Sequence, residues 1–314
     1  VKHGALVDYH ARAAIAATVD VILSRSITGN SIGAKLTLPQ GTLFTDSSGN
    51  SWLSARDVTW YSNVTTCKVP IIQHEKYTAS ALNNMLIPTG DRVIVHLGTL
   101  PNGKYYEQGS MSLQIGGETW VLVDTFAKSK PTDKHFMVSV DEALNPYIMF
   151  GDGTFGKKPA AGAKITNVVF YLTNGTQGNV KSNTITSVPS IISSSITDAT
   201  VSNAYDAGGG SNYENFIMLK EHIPLSVKTL GVAITKEDFE SLAMLVDGVN
   251  KAKADYECGR KLTVYISPDG GAVASSELIN RVYNLLSQRA PMTTWLKVKS
   301  AGKVQIILEM EVTG

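Results

Sequence analysis

Ile148-Met149-Phe150-Gly151-Asp152-Gly153-Thr154-Phe155-Gly156-Lys157-Lys158-Pro159-Ala160-Ala161-Gly162 is the stretch on which the fold turns. Its first six residues after Phe150 fit the GxGxxG spacing of a dinucleotide-binding turn, and the run Pro146 to Phe150 before them reads as a strand. That chemistry needs a helix next, because the pyrophosphate sits on the N–H groups that open the helix. The residues from Lys157 to Gly162 are turn-rich instead. The same stretch comes near a phosphate-binding P-loop, but Lys158 stands where Ser or Thr must reach magnesium. The reading is therefore a structural turn between β-strands. Gly151, Asp152, Gly153 and Gly156 shape consecutive tight turns, and Phe150 and Phe155 are expected to anchor the loop in a core. No cofactor is expected.

Working outward, Thr18 to about Ala204 reads as mostly β, with runs such as Thr18-Val19-Asp20-Val21-Ile22-Leu23 rich in β-branched residues. Ser47-Ser48-Gly49-Asn50 is expected to close a hairpin, and Gly116-Gly117 another, of type I′ or II′. Thr235 is an expected N-cap with Asp238 in the first turn, and Phe239, Leu242, Ala243 and Val246 follow at helical spacing. A second helix begins at Ser276, with Ile279, Val282, Leu285 and Leu286 on its buried face. The expected fold class is α+β and multidomain. Its N-terminal part is mostly β, made of hairpins and small sandwich-like units, and its C-terminal domain runs α-β-β-α-β-β.

The expected division places the end of an N-terminal helix over 1–17, where Ala11 to Ala17 is alanine-rich. A β domain takes 18–82 plus 166–205, and an inserted β domain 83–165. A linker with a short helix (Tyr213 to Glu221) covers 206–234, with Asp206-Ala207-Gly208-Gly209-Gly210-Ser211 as a flexible boundary. The α+β domain fills 235–314. The Ser/Thr-rich stretch 181–203 suggests extended segments packed on a neighbour. The chain opens on Val1 and closes straight after an expected strand, so further residues are expected at both ends.

Composition narrows the chemistry. The formal net charge is +1 over 314 residues, so no strong field argues for nucleic acid or a membrane surface. Lys251, Lys253, Arg260 and Lys261 form a mild basic cluster, read as a solvated strand face. Cys67 and Cys258 lie far apart without metal-ligand spacing, and His3, His10, His74, His96, His135 and His222 form no HExxH. No GxSxG elbow is present. Metal and catalytic residues are accordingly expected to be none. Trp52, Trp60 and Trp120 read as core residues, with exposed sugar platforms as the other possibility.

Two stretches together resemble the baseplate J family of contractile tails. The first is the quoted run to Gly162, followed by Tyr171 and Gly178-Asn179-Val180. The second is Gly208-Gly209-Gly210, Glu214, Pro224-Leu225-Ser226, and then Val232-Ala233-Ile234-Thr235-Lys236-Glu237-Asp238-Phe239-Glu240-Ser241-Leu242-Ala243. Pro39-Gln40-Gly41-Thr42-Leu43-Phe44 before Gly49-Asn50-Ser51-Trp52 is similar to an early hairpin of that family. The order of motifs is also similar to the wedge protein of T4-like phages and to the related type VI secretion baseplate subunit.

The resemblance implies a structural subunit of a baseplate wedge that pairs with copies of itself and forms a ring. It implies other wedge subunits, sheath-initiator and hub proteins as partners, no nucleic acid, no membrane insertion and no enzymatic role. It implies a place in the virion tail baseplate after assembly in the host cytoplasm. Two other classes stand beside it: a β-rich virion module that binds a receptor or glycan, and a tail-associated hydrolase.

Overall fold

The computed structural model describes residues 14–26, 35–78, 85–90, 93–141, 145–196, 198–213, 232–257 and 261–302. The expected strand Val304 to Val312, nearly all of the short helix expected from Tyr213, and Cys258 fall outside them. The described chain is mostly β, in a multidomain α+β arrangement with three apolar cores.

Strand β1 (Thr18–Ser24) alternates, so Val19, Val21 and Leu23 turn to one buried side. After it come β2 (Lys35–Leu38), β3 (Leu43–Thr45), β4 (Ser51–Ser54), β5 (Val58–Tyr61) and β6 (Thr66–Ile72). β1 pairs antiparallel with β6 over its whole length, β6 with β4, and β4 with β3, while β2 and β5 form a separate ribbon. Trp52, Phe44 and Trp60 fill the core beneath. Burying a large apolar side chain of this kind contributes about 1.5–3 kcal/mol.

The expected hairpin at Ser47 to Asn50 has an internal organiser in Asp46, which is itself buried. Its carboxylate accepts from the Ser48 and Asn50 N–H groups, from Asn50 Nδ2 and from Trp52 Nε1, at 2.9 to 3.3 Å.

A larger sheet follows. Its strands are β7 (Glu75–Thr78), β8 (Ile94–His96), β9 (Tyr105–Tyr106), β10 (Ser112–Ile115), β11 (Glu118–Leu122), β12 (His135–Val140), β13 (Pro146–Phe150) and β14 (Ile165–Thr173). The order is β7-β14-β10-β11-β12-β13-β8, with β9 also on β14. Only the β11–β12 pairing among these is parallel. Gly116 and Gly117 have φ of +59° and +81°, the two positive values of a type I′ turn, and they join β10 to β11. Trp120 meets Phe150 edge to face at 5.4 Å in the core. The sheet passes the limits expected at 83 and 165, because β7 and all of β14 belong to it. At nine residues β14 is long enough to pair with β10 at one end and with β7 and β9 at the other.

Two further expectations are corrected. Residues 14–17 are extended rather than the end of a helix. Ile15 pairs with Ser211, and the small side chains of Ala14, Ala16 and Ala17 are buried where backbones crowd. Within 181–203, helix α1 (Ser190–Ser193) is one helical turn that buries Ile192, while β15 (Thr200–Ser202) is extended and pairs with the outer edge of β1.

The C-terminal part consists of α2 (Lys236–Met244), β16 (Val249–Glu257), β17 (Lys261–Pro268), α3 (Ser276–Arg289) and β18 (Trp295–Ser300). β16 and β17 are antiparallel, β17 and β18 parallel, and α3 makes the crossover between the latter. Phe239, Leu242 and Ala243 of α2 pack with Leu262, Val264 and Ile266 of β17. On α3 the fully buried line is Leu278, Val282 and Leu286; Ile279 and Leu285 flank it half-buried.

Burial raises the Asp46 carboxyl, but its hydrogen bonds from Asn50, Trp52 and Ser48 outweigh this and hold it below its ordinary value of 3.8. Its stabilisation is therefore complete above the unfolded value and is lost as pH falls through the folded one. Asp46→Ala is expected to cost about 1–3 kcal/mol in urea unfolding at neutral pH, since it leaves buried donors unpaired. The gap between the two proteins should narrow below about pH 4.

Candidate functional site

The glycine loop that opened the sequence reading is closed on itself. A side-chain carbon at Gly151 would run into the backbone carbonyl of Gly156, so only glycine fits at the end of β13. Gly153 and Gly156 have φ of +95° and +83°. Asp152 Oδ1 accepts from the Thr154 and Phe155 N–H groups at 2.8 and 2.9 Å. The Gly153 N–H donates to the Gly156 carbonyl at 3.0 Å. A phosphate cradle needs such N–H groups turned outward, and here a carboxylate of the loop occupies them. Gly151, Asp152, Gly153 and Gly156 are thus brought together as a turn. Phe155 is the exception: it is 53% exposed, not an anchor, because the short Asp152 turn points it away from the core that holds Phe150. Beside the loop, Lys134 bonds Glu118 at 2.8 Å and, with Lys157 adding, holds its carboxyl below the ordinary range.

Thr235 and Asp238 come together elsewhere, as a capping box on α2. Thr235 Oγ1 accepts from the Asp238 N–H, and Asp238 Oδ2 accepts from the Thr235 and Ile234 N–H groups.

The segment expected to be a flexible boundary is the most tightly enclosed glycine run in the described chain. Residues 207–210 are all buried. Thr18 and Gly208 exchange backbone hydrogen bonds at 2.8 and 3.1 Å, and Ile15 and Ser211 do the same at 2.9 and 3.1 Å. The Gly209 N–H donates to the Asp269 carbonyl across to the C-terminal part. Asn179 holds both backbone groups of Gly210 with its side-chain amide. A Cβ on Gly208 would lie 2.8 Å from that of Ala272, and one on Gly210 would strike the Gly175 carbonyl. Gly208 and Gly210 serve here for close approach, while Gly209 holds a φ of +82° that glycine adopts freely.

Sequence reasoning missed the polar residues that complete this junction. Asp20 on β1 accepts from the Ser276 N–H and Oγ at 3.0 and 2.6 Å, at the opening of α3, and pairs with Lys68 at 2.8 Å. A carboxylate suits the positive end of a helix. Thr18 Oγ1 meets Ser275 Oγ at 2.7 Å. The available signal was an aspartate inside a β-branched run, where that residue type is depleted.

Other places in the described chain offer less chemistry. A groove of about 360 Å³ lies between Thr42, Leu43, Thr45 and residues 187–191, and no titratable side chain lines it. The described histidines are dispersed: His74 Nε2 lies 3.3 Å from Glu107 Oε2, His135 meets Ser129, and His96 packs on Tyr147. No group of three or more His, Cys, Asp or Glu converges among the described residues. Trp52, Trp60 and Trp120 are buried, which removes the sugar platforms considered from sequence. No helix among the described residues is long and apolar enough to cross a membrane.

No family model matches the chain, and no curated protein matches it. It is similar in structure to a chain of the anti-feeding prophage (AFP) baseplate, with 16% identity and a TM-score of 0.26. That match covers 95% of this chain and 60% of the other, so the chain spans under two thirds of that relative. It is also similar to a chain of the type VI secretion system TssK-TssF-TssG baseplate subcomplex. There the identity is 9% and the TM-score 0.45, over 100% of this chain and 94% of the other. At such identities and TM-scores these likenesses carry no argument for function.

Gly151→Ala and Gly210→Ala are each expected to destabilise the fold by about 2–3 kcal/mol, because the added methyl meets backbone that cannot yield. Phe155→Ser should change stability by less than about 0.5 kcal/mol. Urea unfolding of the three variants checks this, and a mild Gly210→Ala would mean that the junction is loose.

Proposed function

We propose that this chain is a structural subunit of a contractile-tail baseplate, of the wedge type that the baseplate J family represents. The observation that carries the reading is the use of the two glycine segments on which the resemblance rests. In one, Gly151 admits a backbone carbonyl and Asp152 occupies the N–H groups that an anion would need. In the other, Gly208 and Gly210 let three stretches of chain meet. Both motifs build framework, with the chain's own groups where an added side chain or an anion would have to sit. That suits a part whose work is to hold neighbours in place, and the proposal assigns it no catalytic step.

In this reading the partners are further copies of the chain, paired and arranged in a ring, together with other wedge subunits, the sheath initiator and the hub. The ring changes shape when the tail contracts. The place of action is the tail baseplate of a virion, after assembly in the host cytoplasm.

Co-expression of the full chain with the wedge and hub proteins of its own tail, followed by light scattering and negative-stain microscopy, tests the reading. Co-elution in a complex that forms rings around a hub is the expected result. A chain that stays monomeric beside every tail protein of its source would sink it. So would turnover of cell-wall material that a single carboxylate substitution abolishes.

A further inference from the structure

The dipeptide Asn-Gly occurs twice in the chain, at Asn102-Gly103 and at Asn174-Gly175. It is a reactive pair. Glycine has no Cβ, so its backbone nitrogen stays open to the side-chain carbonyl carbon of the asparagine before it. Whether those two atoms meet depends on what else holds them, and the fold treats the two copies in opposite ways.

Asn174-Gly175 is locked. Asn174 is 6% exposed. Its Nδ2 donates to Asn50 Oδ1 at 2.9 Å, and its backbone N–H to Gln73 Oε1 at 2.6 Å. The Gly175 N–H, which belongs to the attacking nitrogen, donates to Thr173 Oγ1 at 3.1 Å. A Cβ on Gly175 would strike the amide oxygen of Asn212, so the segment is closely packed as well as bonded.

Asn102-Gly103 is open. It lies in the connection between β8 and β9, and both residues are exposed. The Lys104 N–H donates to the Pro101 carbonyl at 3.1 Å, and Gly103 has a φ of +75°, which makes a type II turn. That bond uses Lys104 and leaves the Gly103 N–H outside it. A Cβ built on Gly103 meets nothing within 4 Å. The flanks are tied down, because the Leu100 N–H bonds Asn145 Oδ1 at 3.3 Å and Lys104 pairs with Glu75 at 2.9 Å. Exposed turn tips of this kind are where chemical change concentrates.

We infer that Asn102 is a site of spontaneous deamidation, and that the fold protects Asn174 from the same reaction. The Gly103 nitrogen gives its proton to solvent and attacks Asn102 Cγ. The new N–Cγ bond replaces the Cγ–Nδ2 bond, and ammonia leaves with a proton taken from water. Water then opens the resulting succinimide ring at either carbonyl. One cleavage restores the ordinary peptide with aspartate at position 102. The other leaves isoaspartate, with the main chain routed through the side-chain carbon. Nothing is oxidised or reduced. Either product lowers the formal charge of +1 by one unit, beside the Lys104–Glu75 pair. The inference rests on this turn and does not depend on the baseplate reading.

For the test, the full chain is held at mildly alkaline pH, folded and in parallel in urea. It is then digested in heavy-oxygen water, so that any deamidation during digestion carries a heavier label. Mass spectrometry with electron-transfer fragmentation reads each site. In the folded chain Asn102 should convert at least about tenfold faster than Asn174, to both aspartate and isoaspartate, because a buried site reacts only through local opening. In urea the two sites should convert at similar rates, since the same dipeptide then meets the same solvent. Asn102→Gln should weaken the acidic band that ageing adds on isoelectric focusing. Folded chain in which Asn102 converts no faster than Asn174, a gap that persists unchanged in urea, or an acidic band undiminished in Asn102→Gln would each overturn the inference.

Discussion

Close approach of backbone to backbone at Gly208-Gly209-Gly210 is the constraint on which the described arrangement depends. Three stretches meet there: the start of β1, the turn at Gly175 to Asn179, and the loop from Pro268 to Ala272 that precedes α3. Each needs the others within hydrogen-bond distance, and any Cβ at Gly208 or Gly210 would hold them apart. The polar contacts around the glycines act in the same direction. Asp20 caps α3 from a strand of a different sheet, and Asn179 satisfies both groups of Gly210. Orphaned backbone groups are costly when buried, so this set of bonds fixes how the C-terminal part joins the β part.

The loop at Gly151 to Gly156 obeys a similar economy on a smaller scale. An anion-binding nest and a self-capped turn use the same backbone shape and differ in what fills it. Here Asp152 fills it from within the loop. The glycine spacing alone is shared by both outcomes, which is why the following residues decided the reading. Lys157 to Gly162 leads into turns and then β14, and a dinucleotide site without its helix has nothing to hold the charge.

The apolar surface tells a related story about where function can sit. Three of the four tryptophans are spent on cores, and the fourth lies on a lysine-rich sheet face. The groove beside β3 has hydroxyl and apolar walls but no group to move a proton.

Much of this was legible in the residues themselves. Alternation in Thr18 to Leu23, the paired glycines at 116 and 117, and the Thr235 and Asp238 cap all act over a few neighbouring residues, and local physics is written locally. The closed glycine turn was legible for the same reason. The fate of Phe155 was not, because exposure depends on what packs against the loop from elsewhere. Nor was the role of Gly208 to Gly210, which looks the same in sequence whether glycine gives freedom or permits contact. Ala14 to Ala17 shows the same ambiguity: small residues favour a helix in isolation, yet they fit a crowded extended ladder when Ser211 lies opposite. The sequence by itself determined the α+β class, the turns and the caps. The tertiary structure alone decided which small residues bear contacts and which lysines lie together, because both depend on partners some 30 to 190 positions away along the chain.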